Sequence, residues 1–318
     1  MTRRDSLLAA LVATVWGLNF VVIEVGMGDV PPLLFVAARF VVVIFPAVLL
    51  VPRPAIGWRT VAAVGTFMSL GQFALLYVAM DAGLPPGLAA LVLQAQAVLT
   101  VLVAAAALRE RPTGRQTVGV VLATLGLVVV ALGRDGDVPL VALLTCLLAA
   151  LSWAVGNVVS RASGAAAAAA GGAGRAAGLS LTVWSAVVVP VPLVLLSLVV
   201  DGPAGVAAGV QAFGWAALAS TLYTAGLASL VGYALFNGLL ARYPGAKVVP
   251  WVLLAPVVAM ASAAVLLGDV PTAGELLGGV VMVAGVAVAV TPGRGARVGR
   301  RGVGLQDRAG EARRPAEI

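Results

Sequence analysis

The chain has 318 residues, of which 61% are hydrophobic and 10% charged, with a mean hydropathy of +1.08. Soluble domains carry roughly 45–50% apolar and about 25% charged residues, so a soluble globule is excluded. There is no His, one Cys (Cys146) and one Lys (Lys247). That excludes His-based catalysis, His zinc sites, cysteine clusters, an internal disulfide and a Gly-x-x-x-x-Gly-Lys phosphate loop. No cofactor or metal is implied, and the composition argues against an enzyme.

A bilayer core about 30 Å thick is crossed by roughly 20 helical residues, and apolar runs of that length recur along the whole chain. They predict helices at 6–25, 32–51, 60–80, 87–108, 115–133, 138–160, 178–200, 214–240, 246–267 and 274–291. The first run follows Met1-Thr2-Arg3-Arg4 and resembles a secretory signal, but its length and the lack of a small-residue cleavage site predict an uncleaved span. Cys146, in Leu144-Thr145-Cys146-Leu147, reads as a buried small hydrophobe. Residues 163–178 are almost all Ala and Gly and predict a low-complexity connection. The tail, 293–318, is polar, rich in Arg and Gly, and predicted to be a basic, disordered cytoplasmic segment near the anionic inner leaflet.

Cytoplasmic loops carry an excess of Lys and Arg. With the N-terminus inside, 18 of the 20 cations fall on the cytoplasmic side, and only Arg134 falls in an outer loop. Glu24, Asp29, Asp81, Asp135, Asp137, Asp201, Asp269 and Glu275 lie at or near the outer ends. The net charge of +7 therefore reflects topology and does not imply a nucleic-acid partner. The expected topology is multi-pass, with both termini in the cytoplasm.

Two segments match at an offset of 159 residues: Glu110, Pro112, Thr113, Gly119 and Gly126 are answered by Asp269, Pro271, Thr272, Gly278 and Gly285. Trp16-Gly17-Leu18-Asn19 is answered more loosely by Trp153-Ala154-Val155-Gly156-Asn157. A unit of five helices is odd, so the second copy enters the membrane from the opposite side, as the arginines around Glu110 and their absence around Asp269 require. The predicted organisation is a first repeat over 1–135, an inverted second repeat over 136–292 and the tail. This is an all-α integral membrane fold of ten transmembrane helices, with a substrate site expected near the midplane and alternating access by rocking of one repeat against the other. The glycines seven apart in the fifth and tenth spans share a helix face and predict close packing.

Trp16-Gly17-Leu18-Asn19-Phe20, Ala38-Arg39-Phe40, the turn around Glu110 and its Asp269 counterpart resemble the EamA-type permeases of the drug/metabolite transporter superfamily. Pro31-Pro32, the run Leu91 to Ala97 and Val183-Trp184-Ser185 resemble the subgroup that exports O-acetylserine and cysteine. The resemblance implies ten helices, an inner-membrane location and efflux without ATP. It also exposes a departure, since members often carry Lys late in the first helix where this chain has Glu24.

Arg39 lies about seven residues into the second span. An intramembrane Arg is costly and faces a partner or a wet cavity. Its planar fork fits a carboxylate or phosphate, and a structural pair with Glu24 or backbone carbonyls is the alternative. Asn19 and Asn157 share helix faces with Trp16 and Trp153, in a cavity or in interhelical hydrogen bonds. Gln94 and Gln96 are two apart, about 200° around an ideal helix, so at most one is expected to face a cavity. Gln72 and Tyr233 complete the substrate-binding candidates, Asn19, Arg39, Gln72, Gln94, Trp153, Asn157 and Tyr233. Glu24 is the candidate coupling or mouth charge.

The expected function is secondary active export of small polar metabolites, amino acids of the cysteine or O-acetylserine type, by alternating access. A lipid or lipid-linked-sugar flippase and a multidrug efflux permease of the same architecture are the alternatives. The expected partners are a small-molecule substrate and the lipid bilayer, with a proton or an exchanged substrate for coupling, and a homodimer is left open.

Overall fold

The computed structural model describes residues 1–54, 56–134, 138–164, 175–243 and 245–291. Most of the 163–178 connection, the tail, Asp135 and Asp137 lie outside the described residues. Nine helices among those described are long and apolar enough to cross a bilayer. They are α1 (Arg3–Met27), α2 (Pro32–Leu50), α3 (Trp58–Asp81), α4 (Pro86–Leu108), α5 (Gly114–Gly133), α6 (Leu140–Ala162), α7 (Leu179–Val200), α8 (Trp215–Arg242) and α10 (Ala273–Val290). The tenth, α9 (Pro250–Leu266), is shorter, but it continues a helical run that starts at Gly245 and is interrupted at Leu253. The ten predicted spans match these within a few residues. The connection between α7 and α8 adds a short helix, Gly202–Ala212, outside the predicted spans.

Broad apolar faces look outward, including Leu132 of α5, Val199 of α7 and Val280 of α10, all more than two-thirds exposed. In an aqueous protein such faces would be a liability, but here they meet hydrocarbon. The core runs through the bundle from Ile23 and Phe35 to Leu91, Leu193 and Met282, and Cys146 is fully buried.

The second copy repeats the irregularities of the first. α3 has a π-helical stretch at Gly65–Gly71 and α8 has one at Tyr223–Val231. α4 is interrupted at Gln94 and α9 at Leu253, again 159 residues apart. Capping boxes start α5 and α10, where Thr113 and Thr272 accept from the backbone N–H of Gln116 and Glu275. Each cap satisfies donors that a helix end would otherwise leave unpaired. The matched sequence is thus a matched backbone.

The repeats interlock. α1 packs on α8 and α9, and α6 packs on α3 and α4, so each triad joins the first helix of one repeat to the third and fourth of the other. The bundle is therefore not two side-by-side halves. Side-chain bonds knit each triad internally. Trp16 Nε1 donates to the Ala228 carbonyl at 2.9 Å and Ser220 to that of Val22 at 2.7 Å. In the other triad Ser152 donates to the Phe67 carbonyl at 2.8 Å, and Asn157 to Gln96 Oε1 at 3.0 Å. α2 and α7 pack on each other and span the two triads.

α5 and α10 form an antiparallel pair. Gly119, Gly126 and Gly133 lie against Ala289, Met282 and Gly274, with Gly278 and Gly285 answering from the other side. A Cβ on Gly126 would stand 2.6 Å from the Gly278 carbonyl oxygen, which only glycine permits. The predicted glycine faces therefore meet each other.

Candidate substrate cavity

α4 and α9 cross near the middle of the bundle. They pack on each other through Pro86–Leu93 and Leu254–Leu266, with Gly87 against Met260. Beyond the interruptions, Ala95–Leu108 packs on α6 and Gly245–Val252 on α1. Where the two helices part, a cavity of about 370 Å3 opens between the triads. Its size suits a small metabolite, at the lower end of the roughly 300–1,000 Å3 typical of ligand pockets.

Its wall draws on both triads. α1 supplies Trp16, Asn19 and Phe20, α8 supplies Ala228, Tyr233 and Phe236, and α9 supplies Val252, Ala255 and Pro256. Opposite stand Gln72, Phe73 and Leu76 of α3, Gln94 and Gln96 of α4, and Trp153 and Asn157 of α6. Arg39 of α2 completes it. All seven substrate-binding candidates come together here. Gln94 and Gln96 both line the wall, against the expectation from an ideal helix. The interruption of α4 at Gln94 removes the regular 100° step on which that expectation rested.

Arg39 is 4% exposed. Nη1 donates to Tyr77 Oη at 3.1 Å and Nη2 to Ser229 Oγ at 3.0 Å. The guanidinium carbon lies 4.1 Å from the centre of the Phe73 ring, a cation–π contact. Nε is buried with no hydrogen-bond partner among the described residues. Among the described residues no carboxylate lies within ion-pair distance, so the pair with Glu24 is not formed. Backbone carbonyls do not hold it either; two hydroxyls do.

Asn19 Oδ1 is also buried and without a hydrogen-bond partner. A buried unpaired polar atom costs about 1–3 kcal/mol. The cavity wall thus includes a cation with no ion-pair partner and an amide with a buried, unused acceptor. Around them stand Trp16, Trp153, Tyr233 and Phe236, and Trp16 meets Tyr233 and Phe236 in tilted ring contacts with centres 5.2 and 5.3 Å away. Glu24, partly buried with Oε2 lacking a partner, is not part of this wall. The two hydroxyls that hold Arg39, those of Tyr77 and Ser229, are not among the candidates that the sequence offers.

Residues 5–132 match the EamA-like transporter family. A probable amino-acid metabolite efflux pump of Salmonella typhimurium is 40% identical over 292 residues, covering 91% of this chain and 96% of that protein. The chain belongs to the EamA-like transporter family. The Escherichia coli protein of the same description is 39% identical over the same coverage. A solved crystal structure, 20% identical, covers 94% of this chain and all of its own with a TM-score of 0.57, a likeness of fold. This EamA protein is a multi-pass membrane transporter of small molecules, and its central cavity is the natural place to look for the substrate.

Proposed function

We propose that this EamA protein exports amino-acid metabolites of the cysteine and O-acetylserine type by alternating access, binding the substrate carboxylate at Arg39. The observation that carries the reading is Arg39 itself, a buried guanidinium in a cavity wall with neutral partners and a free Nε. Burying an uncompensated charge is expensive, and an anion that arrives with the substrate offsets the cost. Asn19 Oδ1 and the aromatic faces of Trp16 and Trp153 are suited to an ammonium group. Gln72, Gln94, Asn157 and Tyr233 supply further polar contacts. Relatives of about 40% identity are named probable amino-acid metabolite efflux pumps, which supports the substrate class.

The same reading takes residues 1–135 and 136–292 as the inverted repeats and the bacterial inner membrane as the location, with both termini in the cytoplasm. The distribution of Arg supports this orientation. It puts the α4–α9 seal on the outer side and the diverging halves, with Gln96 and Phe236, on the cytoplasmic side. Coupling is to a proton or to an exchanged substrate, with Glu24 the candidate carboxyl near the outer end.

Counterflow tests the reading. Proteoliposomes loaded with unlabelled cysteine or O-acetylserine should accumulate labelled cysteine from outside. Absence of accumulation, with folded protein in tight vesicles, would contradict it and turn attention to lipids or hydrophobic drugs.

A further inference from the structure

Arg39 hydrogen-bonds to both triads at once: Tyr77 belongs to α3 and Ser229 to α8. Tyr77 is fully buried, its ring in a tilted contact with that of Phe35 with centres 5.9 Å apart. Ser229, 5% exposed, sits in the π-helical stretch Tyr223–Val231 and donates its own proton to the Thr224 carbonyl at 2.8 Å. That donation leaves its oxygen lone pairs facing Arg39 Nη2. The widened turn is the local device, since a π stretch shifts the side chains that follow it around the helix and is frequent at functional sites.

We propose that Tyr77 and Ser229 are positioning residues that orient Arg39 through neutral hydroxyls, keeping its charge available to a substrate carboxylate; this rests on the reading of Arg39 given above. A carboxylate at either position would hold the guanidinium just as firmly, but it would neutralise the charge and compete with the substrate. Hydroxyls fix the fork and leave Nε and the remaining Nη protons free. They also give the two triads a shared hold on the group that meets the substrate.

The test compares two substitutions of nearly equal shape, Ser229→Asp and Ser229→Asn. Uptake of labelled cysteine and of labelled cysteinamide, which lacks the carboxylate, is measured in proteoliposomes for each variant and for the unaltered protein, with KM and Vmax taken separately. The unaltered protein should favour the carboxylate, Ser229→Asn should keep that preference, and Ser229→Asp should lose about tenfold or more of it, mostly in the KM for cysteine. Tyr77→Phe, which keeps the ring, should raise the KM for cysteine and leave that for cysteinamide unchanged. If Asp and Asn at 229 behave alike, whether both keep or both lose the preference, the positioning role is overturned. If the unaltered protein shows no preference for the carboxylate, the reading of Arg39 itself fails and this inference falls with it.

Discussion

A guanidinium in the membrane interior must be neutralised, hydrated or put to use, and among the described residues Arg39 is met by two hydroxyls and by the rings of Phe73 and Phe40, with no carboxylate in ion-pair distance. Arg39→Ala should therefore reduce cysteine counterflow to near background while the protein stays folded, because the removed charge is not part of an ion pair. Arg39→Lys should retain a minor fraction of the activity, since an ammonium keeps the charge but not the planar fork. Equal activity in all three proteins would contradict the clamp. Arg39, Asn19 and Asn157 were legible in the sequence because a charged or amide side chain in an apolar run stands out. Ser229 was not. A serine in a membrane helix is ordinary, and only the π-helical turn and the Thr224 carbonyl give this one its direction.

At the scale of the helices, one pair of matched caps has unequal surroundings. Thr113 and Thr272 both cap a helix, but Thr272 also donates to the Gly133 carbonyl at 2.7 Å, joining α10 to α5. Thr272→Ala should lower the melting temperature in detergent more than Thr113→Ala, which loses only an exposed cap worth about 1 kcal/mol. Gly126→Ala should destabilise by about 1–3 kcal/mol because its methyl group meets backbone of α10, which has no room to yield. Gly114→Ala, with open space around it, serves as the control and should not destabilise. Melting temperatures that fall equally for both glycines would remove the packing argument. The seven-residue glycine spacing showed that each helix has a small-residue face, yet not that the two faces pack together, since periodicity reports a face and never its partner. The interruption at Gln94 was likewise invisible: no Gly or Pro marks it, so an ideal helix separated Gln94 from Gln96 when the real one brings both to the cavity.

For the whole molecule, the number of spans and the inverted repeat followed from apolar length and the matched segments, and the packing adds that each triad mixes the two repeats. That mixing places one cavity between two bodies of like construction, with α4 and α9 closing it on one side and parting on the other. On the export route proposed above, substrate crosses through this cavity when the α4–α9 contact opens. A Cβ on Gly87 would lie 3.4 Å from that of Met260 and 2.9 Å from its Cα, so cysteines at the two positions come within disulfide reach once the two helix backbones shift slightly apart. With Cys146→Ala as background, the double substitution Gly87→Cys and Met260→Cys is cross-linked and assayed for counterflow. Transport should vanish on oxidation and return on reduction, whereas undiminished transport by the cross-linked protein would contradict this route.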